Sequence, residues 1–354
     1  MRDVAVVGYA QSPSTRRSDG RNEVELLMPV VAEAIERSGV PRKEIGFTVS
    51  GSSDFLSGIP FSFVSALDAI GAWPPIAESH VEMDGAWALY EAWVRLQHGD
   101  IDSALIYAFG QSSNSEVRDV LVLQLDPYYQ APLWPDSVTV AALQARAFLD
   151  ATGRSERDLA EVAAANRRRA VGNAAAQLAG EFSVEMMMKD PYLVAPLRRH
   201  DCPPISDGAV AVVLAAGDRA TRLGKRAAWI RGIDHRIEAH ALGVRDLSRS
   251  PSTALAGKKA GAFAERLDVA ELHAPFSHQE LILREALALG DEVAINPSGG
   301  ALAANPIMAA GLVRIGEAAR QIVEHGASRA LAHATSGPCL QHNLVCVLSD
   351  EPRR

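Results

Sequence analysis

Short apolar runs alternate with segments of helical period along most of this chain, and that alternation restricts the fold more than any other feature. Val4 to Val7 suits a buried strand. Glu23 to Ser38 then sets Val24, Leu27, Val30, Val31, Ala34 and Ile35 on one helical face. Ile45 to Ser50 predicts a second strand, Phe61 to Ile70 a short helix, Ala77 to Met83 a third strand, Asp84 to His98 a strong helix and Ser103 to Ala108 the strand after it. Such an order predicts an α/β fold built on parallel pairing.

Residues 115–200 interrupt the rhythm. They hold the aromatic, proline-rich piece DPYYQAPLWP and two helices, at roughly 137–151 and 157–173, the second carrying Arg167, Arg168 and Arg169 on what reads as a solvated face. A long insertion in a compact fold usually covers a site or an interface. The alternation resumes at Ala209 to Ala215 and repeats in the second half. There, strands are expected at Ala227 to Ile233, Val269 to Leu272, 329–334 and 344–348, and helices at Ser252 to Glu265, Gln279 to Ala288 and Pro306 to Glu324. The expected plan is two similar βαβ-rich halves, 1–217 and 218–354, with the insertion in the first.

Composition excludes several classes. At 354 residues there is room for two domains or an internal duplication. A formal charge of −8 argues against a nucleic-acid binder, which needs a basic face. No apolar run reaches the ~18–20 residues that span a bilayer, and the opening MRDVAVVGYAQSP lacks the pattern of a signal peptide. Cys202, Cys339 and Cys346 form neither a disulfide framework nor a metal-ligand spacing. A cytoplasmic protein without a metal is the expectation.

The stretch His80 to Trp93, HVEMDGAWALYEAW, is where a strand runs into a helix, the junction at which strand–turn–helix enzymes present a reactive side chain. The residue there is Asp84, which also suits a helix N-cap, because a carboxylate accepts the free N–H groups of a first turn. Four other stretches stand out: HDCPPISDGAVAVVL (His200 to Leu214), ELHAPFSHQE with His273 at a strand end, the glycine-rich NPSGGALAANP (Asn296 to Pro306) and SGPCLQHN (Ser336 to Asn343). Glycines in such loops let backbone N–H groups approach a ligand carbonyl or phosphate.

In this order and spacing, these stretches resemble the thiolase superfamily over nearly the whole chain, with the nearest likeness to its sterol-carrier-protein-thiolase or lipid-transfer-protein branch. PLRRHDCPPISDGAVAVVL and NPSGG are the most specific marks; ELHAPFS is similar to the family's HDCF loop, and CLQHNLVCVL to the branch's C-terminal QHN segment. The resemblance implies a thiolase-like α/β fold of two pseudo-repeated halves, each a mixed five-stranded sheet between helices. The family's nucleophilic cysteine, in its C-A-S/T-G pattern, aligns with Asp84-Gly85-Ala86-Trp87. Its activating histidine, in G-H-P, aligns with Ala304-Asn305-Pro306.

An acyl-enzyme route needs a thiolate and a base to form it. An aspartate is a poor substitute, since acyl-aspartate is an anhydride. A carboxylate can instead act as general base if its pocket raises its pKa. The resemblance therefore implies an acyl-CoA thioester as substrate, coenzyme A being bound as part of it, in lipid or steroid catabolism. The favoured reaction is aldol or retro-aldol cleavage of a β-hydroxyacyl-CoA. Asp84 or His342 would serve as base, with His273 beside them, and Asn305 and the Ser298-Gly299-Gly300 loop would bind and polarise the thioester. Tyr128 and Tyr129, in the insertion, are within possible reach of a substrate. Two rival readings are an acyl-CoA acyltransferase using Cys339 or an unexpected residue as nucleophile, and a non-catalytic scaffold for a partner protein. A homodimer and a small OB-fold or zinc-ribbon partner are the implied assemblies.

Overall fold

The computed structural model describes residues 1–353. Its strands are β1 (Val4–Gln11), β2 (Phe47–Gly51), β3 (Glu78–Val81), β4 (Ser103–Gln111), β5 (Tyr192–Val194), β6 (Leu197–Arg198), β7 (Asp207–Ala216), β8 (Ala228–Ile237), β9 (Val269–Leu272), β10 (Ala294–Ile295), β11 (Arg329–Ser336) and β12 (His342–Ser349). Its α-helices are α1 (Glu23–Ser38), α2 (Asp54–Ser57), α3 (Ser62–Ile70), α4 (Gly85–His98), α5 (Val117–Val122), α6 (Ser137–Thr152), α7 (Glu156–Arg169), α8 (Val184–Met187), α9 (Gly217–Arg222), α10 (Pro251–Ala260), α11 (Ser277–Ala286), α12 (Gly300–Ala303) and α13 (Ala310–Val323).

All strands except β5 and β6 join in the order β10-β9-β11-β12-β8-β1-β7-β4-β2-β3. The pairing is mixed, not wholly parallel. β3, β2 and β4 run parallel, and β7 and β1 add antiparallel strands. On the other side β10, β9 and β11 run parallel, and β12 and β8 add antiparallel ones. The two groups of five share one connectivity and meet through a short register, Ala5 against Trp229 and Val6 against Ala228.

Alternation along the central strands sorts residues into layers, because successive side chains point to opposite faces. In β4, Ala104, Ile106 and Ala108 enter the core around α4 and α13, whereas Leu105, Tyr107 and Phe109 pack under α1 and α3. In β12, Leu344, Cys346 and Leu348 face that same central core, and Val345 and Val347 face the layer of α10 and α11. The result is helix, sheet, helix, sheet, helix. Both central helices carry buried apolar side chains, such as Leu89 and Leu96 on α4 and Leu312, Ile315 and Ile322 on α13. Each such burial stabilises by roughly 1.5–3 kcal/mol.

The heads of these two helices touch, and Gly85 permits it: a Cβ there would lie 2.7 Å from the Ala108 Cβ and 2.9 Å from Leu312 Cδ2. The helix expected from Pro306 begins only at Ala310. Residues 307–309 form a turn with Met308 at a φ of 76°, whose carbonyl accepts the Gly85 N–H. Asn305 is thus not the cap of that helix. It lies buried on the connection before it.

Candidate active site

Asp84 is the N-cap of α4, and its carboxylate does more than cap. Oδ1 accepts from Ala86 N at 2.9 Å and from Leu312 N at 3.0 Å, while Oδ2 accepts from Gly311 N at 2.8 Å. Two helix N-termini therefore converge on one carboxyl group, each presenting positive dipole ends. Gly311 makes room, since a Cβ there would sit 2.5 Å from Asp84 Oδ1. Asp84 is only 2% exposed. Burial pushes its carboxyl from the ordinary 3.8 up to about 7, while the three N–H donors and the Arg314 charge pull the other way. Buried carboxyls held near neutrality are suited to proton transfer.

Asp84 lines a cavity of about 490 Å³ that also takes in His273, Asn305, Thr335 and the turn Ser336 to Leu340. The insertion supplies much of the remaining wall, from α5, α6, Arg167 on α7 and the segment around Leu178. His273 Nδ1 accepts from Thr335 N at 3.3 Å, so Nε2 carries the proton and donates to Asn305 Oδ1 at 3.0 Å. Burial drives the His273 pKa down to about 3, against the Asn305 hydrogen bond that favours the charged ring. The imidazole is neutral at physiological pH. The Asn305 main-chain N–H donates to Ser206 Oγ at 3.0 Å. With its Oδ1 engaged by His273, Asn305 keeps two amide protons on Nδ2 for a carbonyl in the cavity.

The three thiols are disfavoured as nucleophiles by burial. Cys339 and Cys202 both border the cavity, yet both are buried and their pKa values are pushed up to about 12 by desolvation. Cys339 Sγ is also turned to the Val140 carbonyl at 3.6 Å. Cys346 lies in the central core with its thiol pushed equally high. Burial thus disfavours the thiolate that acyl transfer through Cys339 would require.

Two groups singled out in the sequence lie outside the cavity lining. The Ser298-Gly299-Gly300 loop is buried, and its N–H groups are already spent within the protein. Ser298 N donates to Glu271 Oε1 at 2.9 Å, Gly299 N to the Asn296 carbonyl at 2.9 Å and Gly300 N to Ser298 Oγ at 3.4 Å. Arg314 Nη1 locks the loop by donating to both Glu271 Oε2 and Ser298 Oγ, at 2.9 and 2.6 Å. The loop braces the site from behind and has no N–H left for a thioester. His342 starts β12 with its ring edge-on to Trp87, centroids 6.5 Å apart, outside the residues that line the cavity. Its pKa is lowered, chiefly by burial. Tyr128 and Tyr129 are exposed and also lie outside that lining.

One group was missed. Four arginines, Arg16, Arg118, Arg167 and Arg199, line the cavity against a single carboxylate, Asp84. Arg167 had read as solvated with its two neighbours, but it is half-buried while Arg168 and Arg169 are exposed. The signal was available in the spacing. Leu159 and Ala163 precede it at intervals of four, and both are buried on α7, so Arg167 falls on the inward face.

No profile of a known protein family matches the chain. Individual relatives do. An acetyl-CoA acetyltransferase of Methanothermobacter thermautotrophicus is 26% identical over 97% of this chain and 96% of its own length. The 17-hydroxy-3-oxo-4-pregnene-20-carboxyl-CoA lyase of Mycobacterium tuberculosis is 25% identical, over 63% of this chain and 60% of its own. Among solved structures, one described as an Ltp2-ChsH2(DUF35) aldolase superposes with a TM-score of 0.82 at 21% identity, covering 98% of both chains. The acetyl-CoA acetyltransferase of Bacillus anthracis gives 0.81 at 16% identity over 99% of both. Full-length similarity and the paired five-stranded sheets agree: the chain has a thiolase-type fold and is similar over its whole length to proteins of the thiolase superfamily.

Proposed function

We propose that this chain binds an acyl-CoA thioester in the cavity and takes part in carbon–carbon bond cleavage without an acyl-enzyme. The observation that carries the reading is that a buried carboxyl near neutral pKa and an available amide line one cavity whose thiols are pushed up to about 12. In the proposed retro-aldol step, the Asp84 carboxylate takes the proton of a β-hydroxyl. The Cα–Cβ bond breaks, the β-carbon becomes an aldehyde or ketone, and the electron pair passes to the thioester oxygen as an enolate. Asn305 Nδ2 donates to that oxygen, and its orientation is held by His273. Return of the proton to Cα gives the shortened acyl-CoA, so atoms and charge balance. The names of a lyase relative and of an aldolase with the same fold support this direction. A homodimer, and a small partner of the kind named with that aldolase, belong to the same proposal.

A second reading is favoured by one observation. Three main-chain donors on Asp84 are also what a purely structural helix staple would show. The native complex, with whatever copurifies, is assayed against a panel of β-hydroxyacyl-CoA thioesters by mass spectrometry of both products. Release of aldehyde or ketone that falls by about 10²-fold or more in Asp84→Asn supports the lyase. Binding of the thioesters without turnover in any combination leaves the scaffold.

A further inference from the structure

Arg167 is the arginine of the cavity with the least reason to be there for stability. Its guanidinium makes no hydrogen bond and no ion pair among the described residues, and its Nε is fully buried without a partner. Phe182 stacks beneath it with the ring centroid 5.3 Å from Cζ. Asp201 and Asp190 favour its charge only from a distance, while burial and Arg199 oppose it. Arg118, by contrast, is paired with Asp136. A half-buried guanidinium with no counter-ion costs folding free energy, because desolvation is not offset by hydrogen bonds.

Its place in the wall is informative. Gly180 N donates to the Arg167 carbonyl, and two and three residues earlier Leu178 N and Gln177 N donate to the Ala303 carbonyl, next but one to Asn305. Arg167 thus belongs to the wall that carries the carbonyl-polarising amide.

Resting on the acyl-CoA reading above, we infer that Arg167 is the specificity-determining anchor for an oxyanion carried by the thioester substrate. That group is a carboxylate on the acyl portion or a phosphate of the CoA portion. The planar guanidinium offers a fork of N–H donors matched to either, and Phe182 holds its plane.

The test is calorimetric binding of a ladder of dicarboxylyl-CoA thioesters, malonyl to adipyl, against the matching monocarboxylyl-CoA thioesters, with wild type, Arg167→Met and Arg167→Lys. For an acyl carboxylate, one dicarboxylyl-CoA binds wild type roughly 10- to 100-fold more tightly than its uncharged match. Arg167→Met erases that difference, Arg167→Lys restores part of it, and the uncharged thioester is unaffected. For a phosphate, Arg167→Met weakens every CoA thioester alike and leaves the corresponding acyl-pantetheine, which has no nucleotide phosphates, unchanged. Affinities that do not respond to Arg167→Met overturn the inference. If no CoA thioester binds wild type, the acyl-CoA reading fails by itself. Thermal shift with succinate and with inorganic phosphate then decides the anion site, which is refuted if neither protects wild type more than Arg167→Met. The melting temperature of ligand-free Arg167→Met gives the control. It stays at or above wild type for a ligand anchor, and a clear fall with unchanged affinity assigns a structural role instead.

Discussion

Replacing Asp84 by asparagine separates its two jobs through the pH dependence of stability. In the folded chain the carboxyl titrates at about 7, against an ordinary value of 3.8. A raised acid pKa means that the native state holds a proton that the unfolded state has released. Stability from this group therefore falls as pH rises above the unfolded value and levels off above the folded one. At ~1.4 kcal/mol per unit, burial sets a ceiling of roughly 4 kcal/mol for this loss, most of it between about pH 5 and pH 7. An asparagine cannot ionise. Its Oδ1 still accepts from Ala86 and Leu312, but its Nδ2 confronts the Gly311 N–H and leaves that donor unpaired, a pH-independent cost of ~1–3 kcal/mol. Wild type should thus be the more stable protein at pH 5 and should lose that advantage by pH 8. Urea denaturation of both at pH 5, 6, 7 and 8 measures the difference, in which other titrating groups cancel. An advantage that grows with pH would refute the reasoning: Asp84 would then be an anion stabilised by helix ends, with too low a pKa to serve as base.

Other consequences are separately measurable. Asn305→Ala should lower kcat by about 10²- to 10³-fold with little change in KM, since it removes a donor aimed at developing charge. Arg314→Met leaves Glu271 buried without its counter-ion, and urea titration should find a loss of ~3–5 kcal/mol that Glu271→Met on the same chain largely restores. Iodoacetamide at pH 8 should leave Cys202, Cys339 and Cys346 unlabelled in the native protein and label all of them after denaturation, as intact mass will show.

Local pattern carried the elements well. Helix α1 has the expected bounds, because Asn22 caps it with Glu25 in a reciprocal pair and Gly39 ends it. Strand β9 likewise falls where its apolar run lies. The strand-to-helix junction at Asp84 was visible because the change of period from two to 3.6 occurs there. His273 and Asn305, both singled out from the sequence, line one cavity, and their mutual hydrogen bond, a contact across 32 residues, was not legible. His342 lies outside the cavity lining. Its neighbours in the chain approach the cavity through the turn before it, and one step into β12 turns its side chain to Trp87. The glycine-rich loop looked like a ligand cradle because sequence shows that N–H groups are accessible to a partner but not that Glu271, from another strand, already holds one of them.

By itself the sequence determined the alternation of strands and helices, the strand-to-helix junction at Asp84 and the long interruption of that alternation between residues 115 and 200. Those are properties of spacing and residue type, written locally. Only the tertiary structure decided that the head of α13, more than two hundred residues on, would close over Asp84 and give its carboxyl two further donors. It alone left Arg167 without a counter-ion and buried Cys339, whose thiol is thereby pushed up to about 12. Charge state and hydrogen-bond availability depend on what is brought close and on how much water is excluded, and both are set by packing between distant segments.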